Sequence, residues 1–331
     1  MEQYSEEEIL QMADVAWEHM DLGEYDEALV IAEELVKLNQ EVGYTLKASL
    51  LVLQEEPDTA VETLKEGIGK FEGAWRLHMD LANIYAQIGE ANAAMEVLDE
   101  AEKIEGAQIH WININRGITL FRSGQVDDAL NLLQQIEEPE AISEAFSLQL
   151  EILDTIHRHD LIVDLIEEEL HLLPVPNDRH EASTLANILA RAAAAYWYED
   201  EEQEDKIQHY LRQAVEYHRG NEIAMWLDRE MDGDFDENSH VYELILEGEL
   251  ERDTETEGEE WVTFHCHYVA AARSPEDALN LIKEYEIEQI DKNSLKILEI
   301  ESNENVEEAP LGLYYIGELM LILEQEEENA E

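Results

Sequence analysis

Leu22-Gly23-Glu24-Tyr25-Asp26-Glu27-Ala28-Leu29 sets a glycine turn a few residues ahead of a small side chain near the start of a helix. The arrangement returns in Ile88-Gly89-Glu90-Ala91-Asn92-Ala93-Ala94-Met95 and in Ser123-Gly124-Gln125-Val126-Asp127-Asp128-Ala129-Leu130. With Ala60 included, the key residues Ala28, Ala60, Ala94 and Ala129 are spaced by 32, 34 and 35 residues. Glycine accepts the left-handed backbone of a tight turn, and alanine lets two helix backbones come close. The preceding helices carry their own small residues, Ala16, Ala48, Ala82 and Gly117, with the aromatic Tyr85 three places after Ala82. Leu64, Leu98 and Leu133 each follow a key alanine by four residues, which puts both on one helical face.

These copies resemble tetratricopeptide repeats, in which two antiparallel helices meet at the glycine turn. The resemblance covers residues 5–220 and implies a mainly α fold, a helical-hairpin solenoid of about five to six helix pairs. A degenerate fifth repeat is expected at His159–Leu173, with Asp164 in the place of the alanine and Pro174 and Pro176 ending it. A sixth pair is expected from Ala182–Tyr198 and Lys206–Tyr217, joined by the acidic loop Glu199–Asp205. Residues 221–239, which include the turn-rich Gly233–Ser239, read as a linker.

Beyond it the period changes from helical to alternating, and residues 240–331 read as a small α+β domain of order ββαββ. Tyr242, Leu244, Leu246 and Leu250 form one face of a half-buried strand, and Val262, Phe264, Cys266, Tyr268 and Ala270 one face of the next. The acidic loop Arg252–Glu260 closes this hairpin. Ser274-Pro275-Glu276-Asp277 supplies an N-cap, a first-turn proline and acid at the positive end of a helix. Leu295–Ile300 reads as a third strand, and Leu313–Leu323 as a fourth strand or a helix.

The 331 residues include 81 acidic and 20 basic side chains, a formal net charge of −61. Such a field repels phosphates, so nucleic acid is not an expected partner. The acid is dispersed, with 26 acidic and 5 basic residues among the last 93. A high-salt host is an alternative origin, although Glu outnumbers Asp nearly threefold. No apolar run is long enough to span a bilayer, and the N-terminus lacks the features of a signal peptide, so a cytoplasmic location without membrane contact is expected. The single cysteine, Cys266, precludes an internal disulfide and reads as a small core residue.

No nucleotide-binding, nucleophile-elbow or zinc-protease motif occurs, and the chain reads as a non-enzyme with no cofactor and no metal. In His265-Cys266-His267, strand alternation places both imidazoles on one face and the thiol on the other. A two-histidine site completed by Glu243 or Glu247 competes with a solvated sheet face, which is the preferred reading. His157 and His159 flank a helix-ending turn and read as capping or surface residues.

The expected binding site is a groove along the first helix of each pair. Counting back from the turns places Trp17, Met79, Asn83, Trp111, Ile118, Phe121 and Phe146 there, with Ala13, Met20, Ala86, Ile114, Gln149 and Leu153 beside them. The best-known groove of the family holds a terminal carboxylate through lysine, arginine and asparagine. The matching positions here are Ala13, Trp17, Thr45, Ser49, Met79 and Asn83, of which only Asn83 fits. The resemblance and the charge together imply a protein-binding scaffold or chaperone-like adaptor, taking a basic or amphipathic segment in an apolar groove rimmed by acid. A neutraliser of a basic protein and a catalytic C-terminal module centred on His265 and His267 are the alternatives.

Overall fold

The computed structural model describes residues 4–21, 23–199, 202–232, 239–254, 258–303 and 309–322. Leu22, residues 233–238 of the expected turn-rich stretch Gly233–Ser239 and residues 255–257 of the expected loop Arg252–Glu260 lie outside them. The chain forms two compact units, Met1–Ile152 and Leu153–Glu331.

The first unit is built of helical hairpins: α1 (Glu6–Asp21) with α2 (Tyr25–Lys37), α3 (Glu41–Leu53) with α4 (Pro57–Lys70), α5 (Trp75–Gln87) with α6 (Ala91–Ala101), and α7 (Ile109–Arg122) with α8 (Val126–Leu133). The helix α9 (Ile142–Thr155) follows and runs past the unit boundary. Ala28, Ala60, Ala94 and Ala129 are all fully buried, as are Leu64, Leu98 and Leu133. At Gly117 a Cβ would stand 2.8 Å from the Leu133 side chain, so even alanine would require the buried Leu133 to shift where α7 crosses α8. Gly23, Gly89 and Gly124 have φ of 75°, 84° and 82°, the left-handed turn expected of them. Glu55 takes the same conformation at the α3–α4 turn, where the sequence offers no glycine.

In the second unit, α10 (His159–Glu169) and a 3-10 turn (Leu170–Leu172) precede α11 (Arg179–Glu199), α12 (Glu204–Tyr217) and α13 (Glu222–Asp232). The run Ala192–Ala195 is buried, and α11 packs against α12 along it. His157 has φ of 57° and so fills the glycine position of the turn before α10, while His159 is buried with its ring centroid 4.3 Å from that of Tyr198. His159 is therefore a core residue and not the capping or surface residue expected.

The stretch read as a linker is corrected by α13. Ala224 and Leu227 are buried with α11 and α12, and Met225 belongs to the core beneath the sheet. Asn221 caps this helix, its Oδ1 accepting from the Ala224 amide at 3.0 Å. The repeat pattern does not reveal the helix because it has no second helix to complete a pair.

The strands are β1 (His240–Thr254), β2 (Gly258–Ala272), β3 (Lys296–Asn303), β4 (Gly312–Ile316) and β5 (Met320–Leu321), with α14 (Pro275–Tyr285) between β2 and β3. The sheet order is β3-β1-β2-β4, antiparallel throughout, and β5 also pairs with β2. The described part of the expected stretch Leu313–Leu323 thus carries strand and no helix, and Leu323 lies outside the described residues. Leu246 stands opposite Cys266 and Leu244 opposite Tyr268, all four fully buried against α14 residues Ala278 and Ile282. Ser274 Oγ caps α14 by accepting from the Asp277 amide at 3.2 Å.

Candidate functional site

The first helices α1, α3, α5 and α7 lie side by side in the first unit, each touching the next but one element along the chain. This follows from the repeat: each hairpin buries one face on its neighbour and leaves the other face of its first helix free. Between α1, α3 and α5 is a hollow of about 330 Å³. Its apolar lining comes from Met20, Val52, Leu53 and Ile84, its polar lining from Thr45, Ser49, Asp80, Asn83 and Gln87.

The Thr45 hydroxyl donates to Asp80 Oδ2 at 2.7 Å. Burial pushes the Asp80 carboxyl up to about 6; the hydrogen bond from Thr45 opposes this shift and the charge of Glu41 adds to it. A partly desolvated carboxylate flanked by hydroxyl and amide side chains can accept hydrogen bonds from cations or amides. The hollow has no cationic side chain in its lining.

Of the expected groove residues, Asn83 lines this hollow and its carbonyl accepts from Arg122 Nη1 at 3.5 Å. Trp17 is exposed on α1, 38% accessible. Met79 is half-buried, its sulfur 3.4 Å from Asn115 Nδ2. Trp111, Ile118 and Phe121 are half-buried; Trp111 packs on both neighbouring cores, Ile118 and Phe121 on the one around Ala129 and Leu133. Phe146 is buried at 2% exposure and is a core residue, which corrects its placement in the groove. Ala13, Ala86, Ile114, Gln149 and Leu153 are buried as well. The reason is angular: one residue is about 100° of helix, so an error of one position exchanges groove for core.

Asp80 was missed by sequence reasoning. It lies one turn before Asn83, but nothing in a chain with 81 acidic residues distinguishes it.

In the C-terminal sheet, His265 Nε2 is 3.4 Å from Glu247 Oε2, and Lys296 Nζ is 2.5 Å from Glu247 Oε1. Lys296 first and His265 second hold the Glu247 carboxyl below its usual range. His267 instead packs on the Tyr315 ring at 5.4 Å, and Glu243 stands opposite Val269. Among the described residues no group of three His, Cys, Asp or Glu side chains is placed to hold a metal ion. Cys266 faces the core, where burial pushes its thiol pKa up despite the nearby Arg219 guanidinium. No helix among the described residues is long and apolar enough to cross a membrane.

Residues 76–108, which span α5 and α6, match the tetratricopeptide repeat family. No curated protein matches the sequence. Among solved structures, the chain is similar to the APC/C hetero-tetramer Cut9–Hcn1, at 14% identity and TM-score 0.42 over 66% of this chain and 42% of that one. It is also similar to a tetratricopeptide repeat protein from Parabacteroides merdae ATCC 43184, at 12% identity and TM-score 0.47 over 66% of this chain and 82% of that one. The thermophilic protein TTC0263 of Thermus thermophilus aligns at 18% identity and TM-score 0.40, over 62% of this chain and 99% of that one.

Proposed function

We propose that this chain, which carries tetratricopeptide repeats and a C-terminal α+β module, is a non-enzymatic scaffold or chaperone-like adaptor. Its ligand is a basic or amphipathic protein segment, laid across the first helices of the N-terminal unit. The observation behind this reading is the Asp80 hollow, a carboxylate set into the first-helix face of a chain with net charge −61. The field speeds encounter with cationic segments, and apolar contacts with Trp17 and the half-buried rings of α7 set how long they stay.

Trp17 gives the cleanest test because its truncation leaves the core intact. A fluorescent amphipathic peptide of leucine and lysine should bind the full chain with an affinity that falls steeply between about 50 and about 300 mM salt, both experimental settings. Trp17→Ala should weaken binding by about 1–2 kcal/mol, mostly through faster dissociation. Salt-independent binding together with unchanged dissociation from Trp17→Ala would remove the reading.

A further inference from the structure

We propose that the hollow between α1, α3 and α5 is a subsite for one lysine side chain of the bound segment, with Asp80 as its acceptor and specificity determinant. The proposal rests on the adaptor reading and narrows it to a side chain.

No cationic side chain in the lining of the hollow neutralises Asp80. Other carboxylates drawn towards half-buried guanidinium groups are paired: Arg116 holds Asp99 at 2.7 Å and Glu102 at 2.6 Å, and Arg191 holds Asp154 at 2.7 Å. Arg219 likewise holds the buried Glu286. Asp80 has the Thr45 hydroxyl and, among the described residues, no Lys or Arg partner. A carboxylate taken from water without a counter-charge costs free energy that an incoming cation returns.

Shape and donor geometry favour lysine over arginine. Arginine is best recognised by two parallel hydrogen bonds to both oxygens of a carboxylate, and here Oδ2 already accepts from Thr45. An ammonium is a point charge with three donors. It can use Oδ1 of Asp80 together with the side-chain oxygens of Ser49 and Asn83 in the same lining. The four-carbon stem of lysine then covers Val52, Leu53 and Ile84. A terminal carboxylate would meet repulsion there.

The test uses the full chain and two labelled peptides of one sequence, leucine with lysine and leucine with arginine, at about 150 mM salt by fluorescence anisotropy. The expected result is a lysine preference of about threefold to tenfold in the parent, lost in Asp80→Asn, with lysine-peptide affinity falling about tenfold. Glu90→Gln removes one charge at the exposed α5–α6 turn and should leave the preference in place. Equal binding of both peptides by the parent, or a preference that survives Asp80→Asn, overturns the subsite while the adaptor reading stands. Failure of both peptides to bind the parent overturns the subsite and the adaptor reading together.

Discussion

Arg219→Met will destabilise the second unit by about 3–5 kcal/mol, the loss expected when one partner of a buried ion pair is removed. Glu286 is 3% exposed and its side chain fully buried. Arg219 donates to it from Nε at 2.9 Å and also from Nη2, the Tyr268 hydroxyl donates to it at 2.6 Å, and Nη2 reaches the Tyr268 oxygen at 3.0 Å. Burial alone would pull the Arg219 pKa down, yet the Glu286 carboxylate raises it; burial and then the same carboxylate raise that of Tyr268. Arg219 follows α12 and Glu286 follows α14, so the pair ties the last helices of the array to the sheet module. Without Arg219 the buried carboxylate keeps the Tyr268 hydroxyl and the Ile287 amide as donors but no counter-charge. Urea unfolding of the full chain, followed by the fluorescence of its six tryptophans and by circular dichroism, measures the loss. The double variant Arg219→Met/Glu286→Leu should recover a large part of it, because no charge is then stranded. A single variant within about 1 kcal/mol of the parent would mean that water reaches the pair.

The second expected effect has the opposite sign. Asp80 has a folded pKa of about 6 against an ordinary 3.8, so the folded state holds the proton more tightly than the unfolded chain. The stability this gives is complete below the unfolded value, declines as pH rises and is lost through about 6. At about pH 7.5 the ionised side chain therefore opposes folding. Asp80→Asn keeps an acceptor for Thr45 and removes the charge, and should stabilise the first unit by about 1–3 kcal/mol at about pH 7.5. The gain should fall to about half at about pH 5, where the parent is mostly protonated. Denaturant unfolding at the two pH values checks both numbers, and a variant destabilised at the higher pH would contradict the assignment. A residue that costs stability and governs ligand choice is the pattern of a retained binding group.

The repeats were legible because their signals are local and periodic: Gly23, Gly89 and Gly124 mark turns, and Ala28, Ala94 and Ala129 mark crossings. Alternation likewise exposed β1 and β2, since Leu244, Leu246, Cys266 and Tyr268 must all point one way. The helix α13 escaped because it repeats nothing, although Asn221 ahead of Ile223 to Leu227 is a cap before an apolar stripe. Glu55 and His157 escaped because a left-handed residue that is not glycine has no compositional mark. The face formed by the first helices was legible in the sequence, but the atoms of the hollow on it were not. Phase errors moved Phe146 into the core, Asp80 was hidden by the abundance of acid, and Arg219 and Glu286 meet across 67 residues of sequence.

The thiol buried beneath the sheet has a further use. Cys266 is the chain's sole sulfhydryl, and its Sγ donates to the Gly317 carbonyl at 3.2 Å. While the sheet stays packed on α14, this sulfur cannot reach a bulky disulfide reagent. Each opening of the sheet offers one sulfur, and reclosure withdraws it. The capping rate under native conditions is then a stopwatch for excursions of the C-terminal core, read without denaturant and without a probe added by mutation.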